Sequence, residues 1–272
     1  MYSTEIETEV DVGVEKLGTE TRTIIDQYLS LPFGTKPSCP YFNNRRKKTR
    51  GVLRVLGGKG TPQEIIEEAM IRAALSHVSI PTLSTEKFKE FLTDNDFGVD
   101  CSGFAYHVLD TFLLETKGKR LASSLTFIRK GFLSKIITRL RPAENTSVAT
   151  LRLNENSFEI NPLEARIGDF ITFIGTGKDK TYNHIVVITN VDNINEQTES
   201  LNELRITYTH SYTWPSDGAY GHGVREGIIL IKNNSILDGI WKEKDSLGEE
   251  NYTYTSARDA EEVSVRRLVV LK

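Results

Sequence analysis

The apolar residues of this 272-residue chain change period partway along, and that switch restricts the fold more than any other feature of the sequence. Upstream the spacing is helical. Ile24, Ile25, Tyr28 and Leu29 share one face of a short helix within 21–31. Thr61-Pro62-Gln63-Glu64 is a capping box with proline at the first helical position, which predicts a helix through Ile65, Ile66, Met70 and Ala73 that ends near Leu75. A shorter helix from Ser84 or Thr85 carries Phe88, Phe91 and Leu92. Phe104, Ala105, Val108, Leu109, Phe112 and Leu113 then form a stripe facing a core. Downstream, 169–174, 183–190, 205–212, 227–233 and 264–272 are β-branched runs separated by Gly, Asn, Asp and Lys, which predict strands. Helices followed by strands define an α+β fold, N-terminal helices packed on a mainly antiparallel β-sheet.

Composition narrows the class. Lys and Arg total 34 and Asp and Glu 37, a formal net charge of −3, so no chain-wide field favours nucleic acid. The first twenty residues hold six acids, one Lys and no apolar h-region, which reads as an acidic leader (1–20) and not a secretory signal. No apolar run approaches the about 20 residues that span a bilayer, so no membrane span is expected. The chain as written is expected in the cytoplasm, unless it leaves by lysis, by a dedicated exporter or after a signal has been trimmed. Positive charge is local: five of six residues in 45–50 are basic, and 116–142 contains Lys117, Lys119, Arg120, Arg129, Lys130, Lys135, Arg139 and Arg141 with no acid. This stretch is either an anion-attracting insertion or a solvated face.

Two cysteines make no disulfide framework, and with five scattered histidines they show no metal-ligand spacing. No metal or cofactor is expected. Gly57-Gly58-Lys59-Gly60-Thr61 lacks the spacing of a phosphate loop. Cys39, in a Pro-rich loop, reads as structural or as lining a substrate loop.

Cys101 differs in its position. It opens an amphipathic helix behind Asp100, which can cap that helix by accepting from the N–H of Ser102 or Gly103. A first-turn thiol feels the positive end of the helix dipole, which can lower its pKa from about 8.5 towards 7. The same N–H groups can stabilise an oxyanion, and the small neighbours Ser102 and Gly103 leave room for a substrate carbonyl. A buried structural cysteine is the competing reading.

A nucleophilic thiol needs a base. His184 lies in a strand, on the face of Val186 and Ile188; His210, in the next strand, shares a face with Ile206, Tyr208 and Tyr212. If the two strands pair, both imidazoles project from one sheet face towards a helix packed on it, one as base and the other as its orienter. His77, His107 and His222 have no such arrangement.

Asp100-Cys101-Ser102-Gly103-Phe104, Arg166-Ile167-Gly168-Asp169-Phe170 and Asn183-His184-Ile185-Val186-Val187-Ile188 together resemble the NlpC/P60 family of papain-like cysteine peptidases. The resemblance covers 95–215. It implies a papain-like fold, with Cys101 as nucleophile, His184 as general base and His210 as the third, polar member. Pro40-Tyr41 is similar to a family segment close to the active site, which makes Tyr41 a substrate-side candidate beside Asp100, Ser102 and Gly103. Val186 stands where the family usually has Gly. The long stretch between Cys101 and His184 marks 116–142 as an insertion in a single catalytic domain (21–272) that carries a helical extension at 21–94.

What the resemblance implies is a cysteine peptidase or amidase of bacterial cell-wall peptides, of the type cleaving between D-glutamate and a diamino acid. The partner is then a peptidoglycan peptide or another peptide substrate, with oligomeric state undefined. Two alternatives stay open: a non-catalytic module that binds wall fragments or a protein, and an acyltransferase using the same thiol.

Overall fold

Side-chain caps set three of the four longest helix starts in the computed structural model, which describes residues 16–44, 53–127, 136, 138, 140–194 and 203–272. Helix α1 spans Thr19–Leu29 and α2 Pro62–Leu75. At the start of α2, Thr61 Oγ1 accepts from Glu64 N at 3.2 Å, and Glu64 Oε2 accepts from Thr61 N at 2.8 Å. Helix α3 (Thr85–Asp94) is capped by Ser84, and α4 (Cys101–Lys117) starts at the Asp100 cap and stops at Gly118, whose left-handed φ of 63 ends the helix.

One eight-stranded sheet, antiparallel throughout, follows the order β1-β8-β2-β3-β4-β5-β6-β7. Its strands are β1 (Ser157–Glu159), β2 (Phe170–Thr176), β3 (Tyr182–Asn193), β4 (Leu204–Tyr212), β5 (Gly223–Ile231), β6 (Ile240–Glu243), β7 (Ser246–Leu247) and β8 (Glu262–Leu268). Mixed helices and antiparallel sheet agree with the α+β expectation. Three strands, β1, β6 and β7, were not expected, nor was a helix at Tyr252–Asp259. The last predicted strand is shorter than 264–272, because Val269–Leu271 turns into a 3-10 helix.

Alternation along the strands divides the core in two. Phe170, Ile185 and Val187 pack with Phe104, Val108 and Leu109 of α4 and with Ile25 and Tyr28 of α1. Ile171, Phe173, Val186 and Ile188 pack on the opposite face with Ile206, Tyr208, Trp241 and Ala257. Each such side chain contributes about 1.5–3 kcal/mol on burial, so the register is fixed from both faces. This corrects one expectation. His184 and His210 do share a face, but α4 covers the other one, and the helix on the imidazole side is Tyr252–Asp259.

The helices of 21–94 share an apolar cluster with α4. Within 116–142, Arg120 pairs with Asp110 at 2.7 Å and Arg141 with Glu144 at 2.9 Å. Arg129, Lys130, Lys135 and Arg139 lie outside the described residues, as do 1–15 of the leader and the basic run 45–50. No helix among the described residues is long and apolar enough to cross a membrane.

Candidate active site

The first turn of α4 rests on the 57–60 segment. Asp100 Oδ1 accepts from Gly103 N at 2.6 Å, from Ser102 Oγ at 3.0 Å and from Lys59 Nζ at 2.8 Å. Lys59 also donates to Ser102 Oγ at 2.5 Å and to Thr146 O at 3.2 Å. Both charges are buried, a pair that holds only while every partner stays in place. A Cβ on Gly103 would stand 2.6 Å from Gly58 O. The small residues after Cys101 therefore serve this close packing; they do not open space for a substrate carbonyl, as the sequence suggested, and Ser102 spends its hydroxyl inside the cluster.

Tyr41, sixty positions upstream, reaches the site through backbone pairing. It bridges Val99, its N–H donates to His222 Nδ1 at 3.1 Å, and its hydroxyl accepts from Asn43 at 3.2 Å. Burial above all, with a charge on Cys101 adding to it, raises the phenol pKa of both Tyr41 and Tyr212.

On the other face of β3 and β4 the two imidazoles meet. His184 Nε2 is 2.7 Å from His210 Nδ1. His210 Nε2 lies 3.1 Å from Glu243 Oε2, which also accepts from Tyr208 Oη at 2.6 Å. Arg225 Nε lies 3.8 Å from Glu243 Oε1, and its guanidinium pairs with Asp217 at 2.6 Å. Tyr212 stacks on His184 with centroids 3.9 Å apart. His184 is 2% exposed and His210 0%, so water screens little of this array.

Burial, reinforced by the Asp100 carboxylate, pushes the Cys101 thiol up to about 12, against Lys59 and the amides of Ile185 and Ser102, which favour thiolate. Burial also holds His184 well below the ordinary imidazole range, with His210 and Arg225 acting the same way. Thiol and imidazole thus both rest neutral. This corrects the expectation of a lowered thiol pKa: a dipole of about half a charge does not offset desolvation with a carboxylate alongside.

Sequence reasoning and structure agree in bringing Cys101, Asp100, Ser102, Gly103 and Tyr41 to one end of α4, and His184 and His210 to each other. Cys39 is fully buried, its thiol 3.6 Å from Pro40 O, consistent with a structural residue. His107 Nε2 contacts Lys59 O at 2.8 Å. Glu243, Lys59 and Tyr212 were not singled out by the sequence. Only strand order brings Glu243 here, whereas the isolated Gly227, a signal for close approach in a strand, could have pointed to Tyr208. Among the described residues no cluster of three or more His, Cys, Asp or Glu could hold a metal ion. Comparison with protein-family models, curated proteins and solved structures finds no match to this chain.

Proposed function

We propose that the chain is a thiol-dependent hydrolase of peptide or amide bonds with a papain-like, NlpC/P60-type arrangement. The reading rests on one observation above all: His184 commits Nε2 to His210 at 2.7 Å, which leaves Nδ1 as the ring nitrogen able to serve a thiol. In the proposed reaction the thiol, which the Ile185 amide next to His184 in β3 reaches, meets that imidazole at the N-terminal end of α4, and His184 Nδ1 takes the Cys101 proton as Sγ attacks the carbonyl carbon. N–H groups at the start of α4 stabilise the oxyanion. Collapse breaks the C–N bond, the leaving amine takes the proton from His184 Nδ1, and an acyl-thioester remains. Water, deprotonated by His184, then releases the acid and regenerates the thiol. Because both partners rest neutral, proton transfer accompanies attack, unlike a preformed thiolate–imidazolium pair.

The resemblance around Cys101 and His184 makes bacterial cell-wall peptides the proposed substrate. Mass spectrometry of peptidoglycan fragments incubated under reducing conditions with wild type or Cys101→Ala tests this. New fragments from wild type alone support the reading and identify the bond. Fragments from both proteins overturn the mechanism, and none from either removes the wall as substrate and favours a transferase or a binding module.

A further inference from the structure

We infer that Glu243 is the positioning residue that fixes both imidazole tautomers and so makes His184 Nδ1 the proton acceptor. The inference extends the proposed role of His184 as base, but its geometry stands independently. Glu243 is the last residue of β6 and is buried. Burial alone would favour its neutral form, yet His210, Tyr208 and Arg225 together hold its pKa below the ordinary carboxylate value, so it is ionised.

A carboxylate can only accept hydrogen bonds. The 3.1 Å contact with His210 Nε2 therefore requires a proton on that nitrogen. His210 is neutral, its pKa lowered chiefly by burial, so its Nδ1 carries a lone pair. The 2.7 Å contact to that nitrogen must then be donated by His184 Nε2–H. His184 is neutral as well, and its lone pair falls on Nδ1. The reverse arrangement would set two acceptors face to face at Glu243, buried where no water can separate them, and would leave a buried charge without a donor.

The sheet places the carboxylate by an unusual adjacency. Tyr208 on β4 pairs with Gly227 on β5, and Gly227 pairs with Glu243 on β6. A Cβ at Gly227 would lie 2.3 Å from Tyr208 Oη. The missing side chain lets the Tyr208 ring cross β5 and donate to Glu243, leaving the other Oε2 lone pair for His210. When His184 becomes imidazolium, the chain ends on a fixed negative charge.

Imidazole 15N–1H correlation spectra of the full chain at neutral pH test the assignment without turnover. Wild type is expected to carry both protons on Nε2 of His184 and His210. Glu243→Gln, whose amide oxygen can still accept from both donors, is expected to keep that pattern while kcat falls tenfold or more at nearly constant KM; Glu243→Leu is expected to give mixed tautomers. A proton on His184 Nδ1 in wild type, or unchanged tautomers in a folded Glu243→Leu, overturns the inference. Should the Leu variant not fold, the wild-type spectrum still decides. The expected tautomers together with Cys101-independent hydrolysis would remove the thiol mechanism only, and the opposite pairing would remove this inference only.

Discussion

The Tyr212 ring lies 3.9 Å from the His184 imidazole with the planes 27° apart, and its hydroxyl meets Ser256 Oγ at 2.8 Å. Tyr252, on the same helix as Ser256, stacks on Tyr212 with centroids 5.9 Å apart. The imidazole is therefore held by a ring that is itself held at two points. Tyr212→Phe keeps the stack and should leave the proposed peptide hydrolysis within a few-fold of wild type. Tyr212→Leu removes it and should lower kcat about two- to tenfold, since aromatic contacts of this kind contribute about 0.5–1.5 kcal/mol. Steady-state kinetics of the two variants separate stacking from hydrogen bonding.

Stability should fall on the acid side. His107, His184, His210 and His222 all have folded pKa values lowered, chiefly by burial. The unfolded chain then binds more protons, so the stability these groups contribute is present above about 6.5, the unfolded histidine value, and is lost as pH falls through their folded values. Urea midpoints at pH 7.5 and 5.0 should differ, and His184→Gln should reduce the difference. Equal midpoints would contradict the buried, neutral histidines.

Alkylation of Cys101 should be slow at neutral pH. With the thiol pushed up to about 12, the rate with iodoacetamide should still be rising at pH 10, where a free cysteine near 8.5 has levelled off. Mass spectrometry of the Cys101 peptide reads this site apart from Cys39. A plateau below pH 8 would mean an activated thiolate in the resting protein.

Lys59→Met leaves the Asp100 carboxylate buried without its cation and should destabilise the chain by about 3–5 kcal/mol. The double variant Lys59→Met/Asp100→Asn should recover part of that loss in urea denaturation, because no uncompensated charge remains. A double variant as unstable as Lys59→Met alone would mean that the pair acts through packing instead.

Gly103→Ala tests the close approach beneath α4. Its methyl would stand 2.6 Å from Gly58 O and 3.0 Å from Lys59 Cδ, and relieving that crowding should cost about 1–3 kcal/mol although alanine favours helix. A stabilised variant in thermal denaturation would show that the segment yields.

Local signals were legible in the sequence because local chemistry creates them. The Thr61–Glu64 box, the Asp100 cap and the alternation around His184 each depend on residues within a few positions of one another. Strand order was not legible. Nothing in Ile240-Trp241-Lys242-Glu243 states that β6 will lie beside β5, so Glu243 read as one acid among many. Lys59 was set aside as part of an imperfect phosphate loop; its partner Asp100 is brought to it by the pairing of Lys59 with Val99. The face covered by α4 was misjudged for a related reason. Period 2 says which residues travel together, while the helix that covers them depends on tertiary packing.

The sheet's order also has a consequence in time. β8 lies between β1 and β2, joining Ser157–Glu159 to the strand that begins at Phe170. During synthesis β2, β3, β4 and β5 can pair as they emerge, but β1 has no neighbour until Leu268 has been added. Until then β2 presents an open edge, the kind of surface on which nascent chains associate. Completion of the sheet should thus be a late step, rate-limited by long-range pairing and sensitive to crowding by other unfinished copies.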